Sequence, residues 1–322
     1  MKIRFIFNPC SGRQRRNGRL LPRLREFVAA QRLDAEIVST EGPGHATVLA
    51  RAAVAAGCER VVAVGGDGTM NEVAQALLHT PAALALVPCG SGNGLARHLG
   101  LPGAIDQALT LLVRPEAGIA TVDTGIAAGR PFFNAMGLGL DAEVSRRFNQ
   151  LVRRGLPAYA RTALAAFRAH RPENCRISDG GRSETLEALL IAVANSDQYG
   201  NGARIAPGAR IDDGLLDLVA IRPVGLPGAA VLAARLFLGS IGQSSHVRRW
   251  RGTHFRIERA APGLIHTDGE PHAAAATIEV AVVPHSLRVV VPVASGRFRD
   301  VRPPGLAAAP PPPECVTFAL NL

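Results

Sequence analysis

The chain has 322 residues, enough for one large domain or two medium ones with a real core, and its 47% hydrophobic content marks a globular protein. Its net charge is +10, from 36 Lys+Arg against 26 Asp+Glu, and Lys2 is the only lysine. Arginine therefore carries the basic charge, which suits phosphates or anionic headgroups and also follows from a genome rich in arginine codons. Cys10, Cys58, Cys89, Cys175 and Cys315 show no paired spacing. That argues against a zinc site or a disulfide framework, and for a reducing, cytoplasmic setting. MKIRFIFNPCSG at the N-terminus is too short for a signal-peptide core. The longest apolar stretch, Val224 to Gly242, is broken by Pro227, Arg235 and several glycines, so a buried helix is expected there and no transmembrane segment.

In chain order, IRFIF reads as a strand, and Leu20, Leu24, Phe27 and Val28 then recur at helical spacing. AEIVS, RVVAV and LALVP read as further strands. The helices that follow them are expected from Thr47 to Ala56, around Val73, Ala76 and Leu77, and from Leu95 to Leu99 and Ile105 to Val113. Strand–helix alternation at this pitch implies a parallel sheet covered on both faces. From about Thr121 the texture changes to closely spaced strand-like runs, LEALLIAVANS, LLDLVAI, TIEVAVV and LRVVVPV, with helices expected over 157–170 and 227–239. This second region reads as mostly antiparallel β, a sandwich or small barrel. The fold class is thus α/β, a parallel-sheet domain over 1–122 followed by a β-rich domain over 123–295. Part of 296–322 is available to complete the first domain, and 303–313 is a proline-rich flexible segment.

Three glycine-rich loops follow neighbouring strands: FNPCSGR, VVAVGGDGTMNE and LVPCGSGNGLAR. Gly65, Gly66 and Gly68 precede a helix whose T-x-x-E pair, Thr69 and Glu72, reads as a capping box. Free backbone N–H groups near a helix N-terminus suit a phosphate, and three such loops converge where open α/β sheets bind ligands. The sequence has neither a Walker lysine nor a protein-kinase strand lysine, and GGDGT has the wrong spacing for a dinucleotide fingerprint. Asp67 sets a carboxylate among these glycines. Hard divalent cations want such carboxylates, which would attract a metal bridging the phosphates.

NPCSG, GGDGTMNE, PCGSGNGLAR, NSDQYGNGARIAPGARIDDGLLDL and HTDGEP, in that order between residue 3 and about 293, resemble the diacylglycerol kinase catalytic-domain family. That family includes YegS-like lipid kinases, sphingosine kinases and ceramide kinases, and GGDGT alone is shared with phosphofructokinases and NAD kinases. The resemblance implies a phosphofructokinase- or NAD kinase-like nucleotide-binding domain and a β-sandwich lipid-substrate domain. It implies ATP-dependent phosphorylation of a lipid hydroxyl with Mg²⁺. ATP would be contacted by Asn8, Pro9, Cys10, Ser11, Gly12, Thr40, Gly65, Gly66, Asp67, Gly68, Thr69, Met70, Asn71, Glu72 and Ser91. The DGE motif implies a general base, Asp268 first and Glu270 second, while Asp67 either faces the metal or orients the acceptor hydroxyl. In RIDDGLLDL, with Asp212, Asp213 and Asp217, a structural Mg²⁺ is implied at Asp213 with backbone carbonyls near Arg210 and Leu215, and Asp123 joining through water.

Gly94 stands where many bacterial members carry an acid, so this loop looks closer to the long-chain-base and ceramide kinase variant. The expected partner is a lipid at a membrane surface, reached by peripheral association, with a homodimer left open. Arg146, Arg147, Arg153, Arg154, Tyr159, Arg161 and Phe167 form a basic stretch with apolar residues between, and HVRRWRG sets Trp250 among arginines. Aromatics are scarce and no RNA-binding motif occurs, so nucleic acid is not expected. The alternatives are an NAD kinase-like enzyme and a non-catalytic lipid- or nucleotide-binding protein. The GSGNGLAR loop weighs against the first, and retention of Asp67, Asp268 and Glu270 against the second.

Overall fold

A computed structural model of the chain describes residues 1–12, 18–114, 117–151, 156–293, 298 and 301–302. The proline-rich segment 303–313 and the basic residues Arg153 and Arg154 lie outside them. The chain opens with β1 (Ile3–Phe7), α1 (Leu20–Ala30), β2 (Ala35–Ser39), α2 (His45–Ala55), β3 (Arg60–Gly65), α3 (Asp67–Leu77) and β4 (Ala83–Pro88). The strands run parallel in the order β2-β1-β3-β4. β3 and β4 are buried throughout, as their near-continuous apolar runs require in a sheet covered on both faces. On one face Val73 and Leu77 of α3 and Ala50 of α2 pack against Ile6, Ala63 and Leu84. On the other, Leu20 and Leu24 of α1 meet Phe5, Val62 and Val64 beside Leu109. Leu109 belongs to α5 (Ile105–Leu111), which follows the short α4 (Gly94–His98).

The rest of the chain runs β5 (Ala117–Ala127), β6 (Arg130–Phe132), β7 (Ala135–Gly139), α6 (Leu140–Asn149), α7 (Leu156–Ala169), β8 (Glu173–Ser178) and β9 (Ser183–Ala188). It continues as β10 (Leu190–Ala194), β11 (Gln198–Gly200), β12 (Ala203–Arg204), β13 (Leu216–Ile221), α8 (Leu226–Leu238) and β14 (Val247–Gly252). It closes with β15 (His254–Arg259), β16 (Gly263–Thr267), β17 (Glu270–Ala274), β18 (Thr277–Pro292) and β19 (Val301–Arg302). A six-stranded antiparallel sheet, β14-β13-β10-β7-β16-β17, faces the β15-β8-β9 end of the larger sheet. Between them lie Phe132, Ile177, Phe255 and Ile257 from one side and Met136, Ile191, Leu218 and Ile265 from the other. This is the expected β-sandwich.

One strand joins the two halves. β18 pairs parallel with β4 at Val289 and Leu84, antiparallel with β15 over 277–281, and antiparallel with β5 along most of its length. TIEVAVV and LRVVVPV, two runs in the sequence, are therefore a single strand. The break at Pro284 is absorbed as a register shift between Val283 and Leu287, with His285 at φ +49°. LEALLIAVANS goes the other way. It divides at Leu189, whose N–H donates to the Ile221 carbonyl (2.7 Å), so that β9 lies in one sheet and β10 in the other.

α6 is a helix the apolar spacing does not reveal. Its local signal is electrostatic, Glu143 bridging to Arg146 (2.7 Å) and to Arg147 one position further. α8 corrects the expectation of a buried helix. Only Leu232 is buried, because the helix is the outermost layer over the six-stranded sheet and presses on it with one narrow edge.

At Gly125 of β5 an added Cβ would lie 2.0 Å from the buried Phe132 ring. Gly125→Ala is expected to cost about 1–3 kcal/mol in urea unfolding, as overpacked cores do. Adding Phe132→Leu should restore part of it.

Candidate active site

The three glycine loops meet at the C-terminal ends of β1, β3 and β4. Their glycines allow backbones to touch: a Cβ on Gly12 would lie 1.8 Å from the Cys89 carbonyl oxygen, and one on Gly90 would lie 2.8 Å from Gly66 Cα. Polar contacts hold the seam. Asn8 donates through Nδ2 to Thr69 Oγ1 (2.9 Å), and the Gly66 N–H donates to Ser11 Oγ (3.3 Å). Asn93, in the left-handed region at φ +51°, closes its own loop through the Gly90 N–H and carbonyl.

Asp67 faces this seam. Its Oδ2 accepts from the Asn93 N–H (2.8 Å) and its Oδ1 from the Gly94 N–H (2.7 Å), so it holds the start of α4. A Cβ on Gly92 would lie 2.7 Å from Oδ2, which explains the small residue there. The expected capping box is not formed. α3 starts at Asp67 with Gly66 as its extended N-cap, which places Thr69 and Glu72 too far along the helix to cap it. Thr69 receives Asn8 instead. Glu72 caps the neighbouring helix α2, accepting from Gly44 N–H (2.9 Å) and Ala46 N–H (3.0 Å).

The residues expected at ATP divide by exposure. Pro9, Cys10, Gly12, Gly68 and Ser91 are exposed, while Asn8, Ser11, Gly66, Asp67 and Glu72 are half-buried. Thr40, Gly65, Thr69, Met70 and Asn71 are buried, Met70 inside the apolar core under β3. The first-turn N–H groups of α3 have no intrahelical acceptor, and Gly68 among them faces open space.

The DGE motif is a two-residue hairpin between β16 and β17, with Asp268 at φ +50° and Gly269 at φ +84° and Thr267 paired with Glu270. Asp268 turns inward. Its carboxylate accepts from Phe133 N–H (2.8 Å), Asn134 N–H (2.8 Å) and Ala135 N–H (3.1 Å). Burial pushes this carboxyl up to about 6, against the pull of those three amides and His266. Glu270 is exposed toward the opposite wall. Loss of solvent and the charge of Glu72 raise its pKa above the ordinary range, with Arg130 opposing. Glu72 on α3 and Glu270 on the hairpin bring one acid from each half of the chain within electrostatic reach of each other. The bridge between the walls runs through Gly94, whose Cβ would lie 3.6 Å from both Asn134 Nδ2 and Gly200 N.

Behind the hairpin is a polar cluster that the motifs do not announce. Tyr199 donates its hydroxyl to Asp141 Oδ2 (2.7 Å), and His266 Nε2 meets the same oxygen (2.7 Å). Burial disfavours both charges, yet the pairing wins: Asp141 lies below the usual carboxylate range and His266 above the usual imidazole range. Gly269 is fixed on both sides, its N–H on His266 Nδ1 (3.2 Å) and its carbonyl on Asn149 Nδ2 (2.8 Å). Two of these contacts, His266 with Asp141 and Asn149 with Gly269, join residues more than 100 positions apart, beyond the reach of local pattern.

The expected structural metal site is placed as follows. Asp213 accepts from the Leu215 N–H (3.2 Å) and is bridged by Arg251, while Arg210 pairs with Asp212. Asp123, fully buried, accepts from Gly214 N–H (2.7 Å) and His285 N–H (2.8 Å). Among the described residues no group of three or more His, Cys, Asp or Glu could hold a metal ion.

Comparison with known proteins places this two-lobed fold among the lipid kinases. Residues 2–125 match the diacylglycerol kinase catalytic domain, and residues 134–291 the YegS C-terminal NAD kinase beta sandwich-like domain. A protein of Pseudomonas aeruginosa (strain UCBPP-PA14) named "Probable lipid kinase YegS-like" is 34% identical over 285 residues, 86% of this chain and 92% of that protein. One of the same name from Chromohalobacter salexigens is 36% identical over 214 residues, 63% of this chain and 67% of that protein. The crystal structure of a diacylglycerol kinase from Bacillus anthracis str. Sterne shares the fold, with a TM-score of 0.68 at 22% identity over 90% of this chain and 96% of that one. The chain belongs to the YegS-like lipid kinases of the diacylglycerol kinase catalytic-domain family.

Asp268→Asn sets an amide NH₂ against backbone donors while keeping a residue type that tolerates positive φ. It is expected to lose about 1–3 kcal/mol in urea unfolding. Glu270→Gln, on the open side of the hairpin, should unfold like the native chain.

Proposed function

We propose that the protein transfers the γ-phosphoryl group of ATP to a hydroxyl of a lipid in the cleft between α3 and the β16–β17 hairpin. The observation that carries this is the facing of two unlike walls. One offers the first-turn N–H groups of α3, which lack an intrahelical acceptor, beside the exposed Gly68. The other offers Glu270 with its pKa raised. The first suits phosphate oxygens and the second a proton.

In this reading the loops at Asn8–Gly12, Gly65–Asn71 and Ser91 hold the nucleotide, Asp67 keeping the third loop in place. Met70 and Asn71, being buried, act by shaping the loop, and buried Thr40 has only an edge to offer. Glu270 takes the acceptor's proton as the hydroxyl oxygen forms its bond to the γ-phosphorus and the bond to the β-phosphate oxygen breaks, releasing ADP. Asp268, saturated by three amides, holds the turn that aims Glu270. Charge stabilisation outweighs deprotonation in phosphoryl transfer, so a weak base suffices. Mg²⁺ carried with the phosphates would supply neutralisation, and the repulsion between Glu72 and Glu270 fits a cation arriving there. At Asp213 a metal would have to displace Arg251, so no step runs through that site.

The test is radiolabelled ATP with diacylglycerol, phosphatidylglycerol, sphingoid base, ceramide and NAD. A labelled lipid is expected, and labelling of NAD alone would overturn the reading. Glu270→Gln should lower kcat about 10²- to 10⁴-fold. Because the base must be ionised and its pKa is raised, kcat/KM should fall with acidity at a pH above the ordinary glutamate value of about 4.3, and Glu270→Gln should abolish that limb.

A further inference from the structure

We infer that α8 is an interfacial helix that seats the protein on an anionic bilayer. Its outward arc is apolar without interruption. Leu226 (48%), Val231 (55%), Phe237 (50%) and Leu238 (78%) are exposed, and Ala230 and Ala234 between them are exposed too. A surface helix of a soluble protein turns such an arc to the core and its charges to water; α8 does the reverse. At 13 residues it is about 20 Å long. Pro227 in its first turn and Gly239, left-handed at its end, bound it sharply, and no acid stands in the first turn. Among the described residues no helix is long and apolar enough to cross a membrane, so α8 could only lie along one.

The charge around it selects the occupant. α7 and α8 together carry three arginines, Arg161, Arg168 and Arg235, and no Asp or Glu. Ala166 of α7 and Leu232 of α8 share one apolar cluster on the outer face of the six-stranded sheet. α7 adds exposed Leu164, with Arg161 and Arg168 exposed beside it. Arg235 lies on α8 itself, Arg204 packs against Gly239 at its end, and Arg222 precedes its start. Glu184 lies 3.9 Å from Arg222 and Asp197 3.8 Å from Arg204, Asp197 being held more closely by His98 (2.7 Å). An apolar strip edged by guanidinium groups matches acyl chains below and anionic headgroups around. A strip one helix wide is also smaller than the roughly 800 Å² per partner of a stable protein interface, which disfavours a second copy as occupant. The same layer reaches the site, since Asn149 at the end of α6 holds the Gly269 carbonyl.

This surface serves the proposed lipid kinase reaction, but its test needs no catalysis. The full chain would be sedimented with phosphatidylcholine vesicles with and without phosphatidylglycerol. Binding that needs phosphatidylglycerol is expected. Phe237→Ser/Leu238→Ser should weaken it about tenfold or more at unchanged melting temperature, and Arg222→Gln/Arg235→Gln should blunt the phosphatidylglycerol dependence. Activity of Phe237→Ser/Leu238→Ser on a short-chain, fully dispersed lipid alcohol should match the native chain. Absence of that activity in the native chain would count against the kinase reading alone. Vesicle binding unaffected by the serine variant, or no binding by the native chain, would overturn the inference. So would a native dimer that the serine variant splits while vesicle binding persists.

Discussion

The carboxylate of Asp67, set between the Asn93 and Gly94 N–H groups, is the contact on which the rest of the site depends. It stands at the start of α3 and fixes the start of α4, so two glycine loops that could each wander are locked at hydrogen-bond distance. A negative charge at a helix N-terminus is favourable in itself, and here one carboxylate serves two helices. Loop glycines then follow as a packing requirement. With a side chain at Gly12, Gly90 or Gly92 the loops could not close to the separation that Asp67 demands.

The opposite wall is aligned by a different device. β18 is shared, parallel to β4 in the first half and antiparallel to β5 and β15 in the second, so the halves are joined by a continuous ladder as well as by loops. Asp268 repeats in the second half the logic of Asp67 in the first. It is a carboxylate spent on backbone amides, those of 133–135, and so fixes the turn that carries Glu270. Acids that hold loops through backbone amides and an exposed acid on the open side of the hairpin are a division of labour that burial and partners reveal and residue type does not.

Much of this was legible in the sequence. Strand–helix alternation gave the parallel sheet because buried parallel strands must be apolar runs, and the glycine loops were visible because close backbone approach leaves no other residue. The DG of the hairpin was readable as a turn and as a motif, and it is both. What escaped were the partners of the carboxylates. Glu72 and Thr69 have the spacing of a capping box, but helix start, set one turn earlier by Gly66, redirects both to neighbouring loops. Asp141, His266 and Tyr199 meet only after folding, so no local spacing marks them. The exposure of α8 is hidden in the sequence for a physical reason. Its residues are apolar nearly all round, so periodicity cannot tell which side faces the core.

The most direct measurement is amide hydrogen exchange with and without ADP. Nucleotide should slow exchange at residues 8–12, 66–69 and 90–94 together, since these backbones form one surface held by Asp67. Protection confined to other segments, with 66–69 exchanging as freely as before, would contradict a phosphate site at the start of α3.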